Sequence, residues 1–159
     1  MAVASGGRTL AHMGTNLGSE RMNDRPISGA RLDTPLRELM TPGVVALPES
    51  AALRVVFEAM RDHRVHAVLI VDRASAEPRG WVTSRALLAH TATELGLVTA
   101  GTAVDEQVIA LEPSATAGDA IERMLASGAC RIAVRHAHAR LPEGVVTDLD
   151  LVELLVRRA

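Results

Sequence analysis

The stretch Gly144-Val145-Val146-Thr147-Asp148-Leu149-Asp150 decides the fold, because the chain contains a second version of it. Sixty-four residues earlier the chain has Gly80-Trp81-Val82-Thr83-Ser84-Arg85-Ala86. Both stretches begin with glycine, continue through an apolar segment typical of a short strand, and reach a threonine that can precede a helix. This pairing suggests that the chain is built from two copies of one unit.

The same shift of 64 residues aligns positions 46–88 with a later part of the chain without a gap and with eleven identities. Each copy has the pattern strand, helix, strand, strand, helix. The predicted strands are 44–47, 67–71, 80–83, 108–111, 132–134 and 144–147, and Ser50 is predicted to be the N-cap of the first long helix. A single copy would be too small to bury a stable core. The predicted fold class is therefore α+β, with two pseudo-twofold-related β-α-β-β-α repeats packed through their sheets.

The rest of the chain divides around this repeat. Residues 1–30 are rich in glycine and polar residues and show no sustained periodicity, which predicts a flexible N-terminal tail. The first repeat is assigned to residues 31–93 and the second to residues 94–159.

Composition excludes several classes of function. The 159 residues include no lysine and, as aromatic residues, only Phe57 and Trp81, which excludes lysine chemistry and argues against a base-stacking platform. The net charge of -2 and the dispersed arginines argue against nucleic-acid binding. The single cysteine, Cys130, and the lack of a long apolar run favour a cytoplasmic protein that does not enter a membrane. No nucleophile and general base stand in a recognisable motif, so we expect no enzymatic activity.

With its motifs taken together, the repeat resembles the cystathionine β-synthase (CBS) domain. The relevant motifs are Leu39-Met40-Thr41-Pro42, Val71-Asp72, and the Gly-x-x-Thr-x-x-Asp ending at 144–150. Two such repeats in tandem resemble a Bateman module, and the resemblance covers residues 35–158. It implies a regulatory module that binds an adenosine-containing ligand such as AMP, ADP, ATP or S-adenosylmethionine, requires no other cofactor, pairs into a homodimer through its helices, and signals to an effector protein that the sequence does not name.

The candidate site centres on Asp150 and Thr147. A carboxylate at Asp150 can accept hydrogen bonds from both hydroxyls of a ribose, and Thr147 can donate its hydroxyl to the ligand. The same two residues could instead form only a helix N-cap and its first-turn acid. In the first repeat Ala86 stands where the second has Asp150. Because alanine cannot accept a hydrogen bond, we expect one competent cleft and one degenerate cleft.

The resemblance also implies the remaining site residues. Val44 and Val45 would face the adenine and Val145 would line the cleft from the second repeat, while His66 and Arg85 would contact phosphate. Arg131 would serve the degenerate cleft.

Three further side chains have their own predictions. Trp81 is predicted to fill the core, although it aligns with Val145 and could instead fill the first cleft. Cys130 is predicted to be a small buried apolar residue. A metal site at His63 and His66 is not expected, because a strand begins next to His66 and no third ligand is placed to complete the site. The alternative to a ligand sensor is a dimerisation or interaction module that binds no ligand.

Overall fold

A computed structural model describes residues 29–156. The predicted tail, residues 1–30, lies outside this range except for its last two residues, which begin a short helix. The strands are β1 (Thr41–Pro42), β2 (Ala46–Pro48), β3 (Ala67–Val71), β4 (Pro78–Thr83), β5 (Ala110–Leu111), β6 (Arg131–Val134) and β7 (Gly144–Thr147). The helices are α1 (Gly29–Leu32), α2 (Leu36–Leu39), α3 (Leu53–His63), α4 (Ser84–Leu87), α5 (Glu94–Leu97), α6 (Ala117–Ser127) and α7 (Asp148–Val156), and a 3-10 turn spans Ala100–Ala103.

The strands form two sheets with the same topology in each repeat. The first sheet has the order β2-β3-β4, and the second has β5-β6-β7 with β1 added beside β7. In each sheet the first pair of strands is parallel and the second pair is antiparallel. The helix that connects the parallel strands is α3 in one repeat and α6 in the other, as a parallel connection requires. The predicted order of strands and helices is confirmed.

The two sheets pack against each other. Buried Leu69 and Trp81 of the first sheet meet buried Ala133 of the second, and partly buried aliphatic residues of both sheets surround them. The opposite face of each sheet packs against that repeat's long helix in its own core. This arrangement confirms the α+β class and the packing of the repeats through their sheets. Trp81 is 2% exposed, which confirms that it is a core residue.

The leading segments of the two repeats are exchanged. Leu36 of α2 is fully buried in the core of the second repeat, and its amide donates to the carbonyl of Ala115 at 2.8 Å. The equivalent residue Ala100 is fully buried in the core of the first repeat, and its amide donates to the carbonyl of Ala51 at 2.7 Å. Each repeat therefore completes its core with a segment from the other. Leu95 and Val98, which follow the predicted boundary at 93/94, pack against the core of the first repeat, and the boundary itself stays a prediction.

Three details of the predicted elements were wrong. Ser50 is not the N-cap of α3, because it lies in a turn after β2, and the N-cap is the extended residue Ala52, which pairs with Thr99 just before the helix begins at Leu53. The first strand of each repeat begins two residues later than predicted, at Ala46 rather than residue 44 and at Ala110 rather than residue 108. Thr41–Pro42, predicted only as a helix stop, also forms a strand that pairs with β7.

The helices are short. The longest of those described have eleven residues, in α3 and α6. Within residues 29–156 no helix has the length and apolar character that would be needed to cross a bilayer.

Candidate functional site

A cleft of about 840 Å³ opens between the two repeats. This volume is within the range of small-molecule and cofactor sites. The first repeat contributes the segment 41–46 before and into β2, the segment 63–67 leading into β3, and Trp81 of β4. The second repeat contributes Arg131, Val145 and Thr147 from β6 and β7. We call this the open cleft.

Thr147 and Asp150 form a tight polar unit at the junction of β7 and α7. The carboxylate Oδ2 of Asp150 accepts hydrogen bonds from the amide and the hydroxyl of Thr147, each at 2.7 Å. The amide of Asp150 in turn donates to Thr147 Oγ1 at 3.4 Å. The pair thus caps the start of α7. Thr147 lines the open cleft, whereas Asp150 is half-buried and does not belong to the lining.

The other predicted site residues divide into two groups. Val44, Val45, Val145 and His66 line the open cleft together. Three of these are apolar and give the cleft aliphatic walls. His66 is exposed at the entry to β3, where its carbonyl accepts from the amide of Ser84 at 2.8 Å. Arg85 is exposed on α4 and does not line the open cleft.

Arg131 was predicted to serve the other cleft, but it lies in the wall of the open cleft. It pairs with Thr147 across β6 and β7, and neighbouring residues in an antiparallel pair project from the same face of the sheet. Its side chain is only 14% exposed, and its guanidinium lies over the Trp81 ring, 5.6 Å from the ring centroid. The sequence alignment of the repeats missed this position because it does not show which strands become neighbours.

The position equivalent to the open cleft lies beside Thr83 of the first repeat, where Asp105 and Glu106 of the segment before β5 place their carboxylates. We call it the closed cleft. Asp105 accepts from the amide of Thr83 at 2.9 Å and from its hydroxyl at 2.5 Å. These are the groups that Asp150 binds on Thr147 in the second repeat. Asp105 thus supplies from another part of the chain the carboxylate that Ala86 lacks.

Glu106 occupies the neighbouring part of this closed cleft. Its carboxylate accepts from the amide of Cys130 at 3.2 Å and lies 3.4 Å from Nη2 of Arg131. Its backbone pairs with Trp81, whose amide donates to the Glu106 carbonyl at 2.8 Å. Cys130 itself is exposed, so the prediction of a buried apolar cysteine was wrong. The residue lies one position before β6 begins, outside the run of buried residues that the strand supplies.

A separate charged cluster stabilises the loop between β3 and β4. Asp72 accepts from the amides of Ser75 and Ala74, from the Ser75 hydroxyl, and from Arg79 at 2.7 Å. These bonds, with the Ser75 amide first, hold the pKa of the Asp72 carboxyl well below its usual range. The partners of Asp72 all belong to this loop or its ends, and Arg79 also lies 3.6 Å from Glu49, so the cluster ties the loop to the end of β2. No three His, Cys, Asp or Glu side chains of the described part of the chain are grouped as a metal site would require.

Solved structures share this fold. The CBS domain of the bacterial CNNM/CorC family Mg²⁺ transporter matches with a TM-score of 0.72 and 21% identity, over 85% of this chain and 87% of the other. The same transporter domain in complex with ATP matches with a TM-score of 0.71 and 21% identity, over 82% and 92% of the two chains. The CBS domain of a membrane protein from Sphaerobacter thermophilus matches with a TM-score of 0.68 and 24% identity, over 84% and 95%. At these identities the likeness shows the fold alone.

The sequence itself gives a more specific result. No curated protein matches the chain. The family model of the CBS domain matches it twice, over residues 36–92 and 100–157. These two matches cover most of the chain and coincide with the two repeats. The chain therefore belongs to the CBS-domain family and contains two CBS domains in tandem.

Proposed function

We propose that this chain is a regulatory CBS pair that binds an adenosine-containing ligand in the open cleft and transmits its occupancy to an effector protein. The ligand would be AMP, ADP, ATP or S-adenosylmethionine. The observation that carries the proposal is the cleft itself, which joins aliphatic walls from both repeats to the polar Thr147–Asp150 unit. An ATP complex of a protein with the same fold is consistent with it.

The apolar part of the cleft suits a purine base. Val44, Val45 and Val145 all line the cleft, and a flat aromatic ring packed against them would bury apolar surface. Burial of apolar surface contributes roughly 25 cal/mol per Å². The base would therefore supply much of the affinity and little of the specificity among adenosine ligands.

The ribose would be held by Asp150. Only one of its carboxylate oxygens, Oδ2, accepts from Thr147. A carboxylate has about four lone-pair directions, so acceptor capacity remains for ribose hydroxyls. Thr147 borders the cleft and orients the carboxylate, and His66 at the cleft margin and Arg85 on the adjacent helix would contact a phosphate. In this proposal the helix cap and the ligand site are one structure.

A ligand that bridges the two repeats can act as a signal. Its proposed contacts to Val44 and Val45 would belong to the first repeat, and those to Val145, Thr147 and Asp150 would belong to the second. Binding would favour the arrangement of the repeats that makes both sets of contacts, by no more than the ligand's difference in affinity between arrangements. An effector that contacts both repeats could detect this change.

A homodimer would bury apolar residues that the helices leave exposed. They are Val55 and Phe57 on α3, Leu125 on α6, and Leu149, Val152 and Val156 on α7. Several exposed apolar side chains on neighbouring helices are typical of an interaction surface. We therefore propose that pairing occurs through these helices and leaves the open cleft accessible.

The second candidate function is a dimerisation or interaction module without a ligand. The closed first cleft favours it, because Asp105 and Glu106 fill a position that a ligand would otherwise use. In this alternative the chain has lost one of its two equivalent sites, and the second site is lost as well. The two functions differ in one measurable property, the affinity of the open cleft for adenosine ligands.

Isothermal titration calorimetry with Asp150→Ala and a matched control, Asp119→Ala, distinguishes them. Asp119 caps α6 through the same bonds, because its carboxylate accepts from the amide and hydroxyl of Thr116 at 2.8 and 2.9 Å. It does not line the open cleft. Both variants lose a similar cap, whereas only Asp150→Ala loses the ribose contact. We expect binding to the wild type and Asp119→Ala and a loss of roughly tenfold or more in Asp150→Ala. Equal affinities in the two variants would reject the site, and no binding to the wild type would favour the ligand-free module.

A further inference from the structure

The two helix pairs that cover the outer faces of the sheets differ in charge. The pair of the first repeat is α3 and α4, and the pair of the second repeat is α6 and α7. The first pair carries three arginines and two carboxylates, namely Arg54, Arg61, Arg85, Glu58 and Asp62. The second pair carries one arginine and five carboxylates, namely Arg123, Asp119, Glu122, Asp148, Asp150 and Glu153. With histidine neutral, the first pair is net positive and the second is strongly negative.

Both helix pairs also leave apolar side chains exposed. In the first pair, Phe57 of α3 is 46% exposed, and Leu88, directly after α4, is 86% exposed. In the second pair, Leu125 of α6 is 82% exposed and Leu149 of α7 is 71% exposed. Large apolar side chains exposed together on neighbouring helices are typical of an interaction surface. Each pair therefore has apolar surface that the rest of residues 29–156 does not cover.

Equivalent positions of the two pairs differ in chemistry. Arg61 of α3 is separated by one repeat period from Leu125 of α6, and Arg85 of α4 from Leu149 of α7. All four side chains are exposed. Because the two repeats share one topology, these side chains stand at corresponding places on the two surfaces. The first surface thus combines apolar residues with positive charge, and the second combines apolar residues with negative charge.

A second copy of the chain can cover these surfaces in two twofold-symmetric ways. In like-with-like pairing, each helix pair faces the same pair of the partner, which places positive charge on positive and negative on negative. In crossed pairing, the first pair of each copy faces the second pair of the other. Both arrangements bury apolar side chains, but only crossed pairing brings opposite charges together. Complementary charge favours one arrangement, and the like charges of the other arrangement act against it.

From this difference in charge we infer that two copies of the chain pair crosswise, with α3 and α4 of each copy packed against α6 and α7 of the other. The inference rests on the homodimer in the proposed function and specifies which surfaces meet. The interface is isologous, so every contact occurs twice. A substitution at the interface therefore acts at two places in each dimer, and its effect on the dissociation constant is the square of the effect at one place.

Like-with-like pairing has the opposite dependence on salt. It would bring the leucines of α6 and α7 together, but it would also set the five carboxylates of that pair against the same five of the partner. Salt screens exposed charges, so it would relieve this repulsion and tighten such a dimer. In crossed pairing salt screens an attraction and weakens the dimer. The direction of the salt effect consequently separates the two arrangements.

The test is sedimentation equilibrium of the full chain at low and high sodium chloride, with the wild type, Arg61→Glu, Glu122→Arg and a control, Arg73→Glu. All four side chains changed or compared here are exposed, and none lines the open cleft. Arg61 has one partner in its own helix, Asp62 at 2.9 Å, and an exposed pair of this kind contributes little to stability. Arg73 lies in the loop between β3 and β4, so Arg73→Glu makes the same change of charge outside both helix pairs.

Crossed pairing predicts a direction for each measurement. The dissociation constant of the wild-type dimer should rise several-fold from low to high salt. At low salt, Arg61→Glu should raise it roughly tenfold, because the first pair becomes net negative and repels the second, and Glu122→Arg should raise it several-fold by reducing the attraction. Arg73→Glu should stay within about twofold of the wild type. Circular dichroism of each variant checks that the fold is retained.

The outcomes separate failure of the inference from failure of the proposed function. A dimer that tightens with salt and with Glu122→Arg pairs like with like, which overturns the inference and leaves the proposed homodimer standing. A dimer that responds equally to Arg61→Glu and Arg73→Glu also overturns it. A wild type that stays monomeric at every concentration removes the homodimer and the inference with it, whereas ligand binding in the open cleft is decided by calorimetry alone. If one variant does not fold, the salt dependence of the wild type and the other variant decide.

Discussion

Leu36→Ala tests the exchange of leading segments between the repeats. Leu36 precedes the first repeat in the sequence, yet its side chain is fully buried among residues of the second repeat such as Ala120, Ile132 and Leu151. The substitution removes three carbon groups, each contributing about 0.8 kcal/mol of transfer free energy. With the cavity that remains, the loss should be about 3 kcal/mol. For a domain of this size the melting temperature should fall by roughly 6–15 °C.

The assay is thermal and urea unfolding followed by far-ultraviolet circular dichroism. The matched control is Leu97→Ala on α5, where the leucine is 77% exposed. Exposed substitutions of this kind usually change stability by no more than about 0.5 kcal/mol. If Leu36→Ala is as stable as Leu97→Ala, the segment before β1 does not complete the second core, and the exchange of segments is refuted.

Four further outcomes follow from the same structure. Gly80→Ala should destabilise the protein by about 1–3 kcal/mol in urea unfolding, because the new Cβ would overlap Val104 in a backbone approach that cannot widen cheaply. Thr116→Ala should cost about 1 kcal/mol at neutral pH through loss of the α6 cap, measured by the same unfolding. Hydrogen bonds from the backbone and side chain of Thr116 lower the pKa of Asp119. The stability that this carboxylate contributes is therefore present above its usual pKa of 3.8 and should be lost as the pH falls below that value. Unfolding of the wild type and Thr116→Ala over an acid pH series would show the loss in the wild type alone. Leu125→Glu should convert a dimer to a monomer in sedimentation equilibrium, since Leu125 is 82% exposed on α6 within the proposed dimer surface; an unchanged dimer would place the interface elsewhere.

The repeat was predictable because it is written into local patterns. The two long helices begin exactly one period apart, at Leu53 and Ala117, and their apolar spacing is visible in the sequence. The buried strand Ala67–Val71 is a continuous run of apolar residues, mostly β-branched, closed by Asp72, and it was predicted with the same bounds. Elements of this kind depend mainly on their own residues.

The exchange of segments could not be predicted in the same way. The pairing of Thr41–Pro42 with β7 joins residues about one hundred positions apart, and nothing in the three-residue sequence Thr-Pro-Gly specifies a distant partner. The short strands depend on that partner rather than on their own propensity. The error at Ser50 has the same origin, because pairing of Ala52 with Thr99 delays the start of α3.

For the candidate site, alignment of the repeats located the walls but not the charges. Val44 and Val45 lead into β2 of the first sheet, Val145 lies in β7 of the second, and all three line the open cleft. Arg131 lies in the open cleft through its register with Thr147, and Asp105, at the position equivalent to Thr41, supplies the carboxylate that is missing beside Thr83. Sequence reasoning identified a lost acid at Ala86, whereas the compensation was visible only in three dimensions.

The central claim is that an adenosine ligand occupies the open cleft and not its pseudosymmetric counterpart. The most direct test is methyl NMR of the protein titrated with AMP, ADP, ATP and S-adenosylmethionine. Val44, Val45 and Val145 line the open cleft, while Val108 and Ile109 are the residues equivalent to Val44 and Val45 in the closed cleft. With at least one ligand, the methyl signals of Val44, Val45 and Val145 should shift and reach saturation, while those of Val108 and Ile109 should shift much less. Equal shifts at both sets, or none at Val44, Val45 and Val145 with any ligand, would contradict the claim.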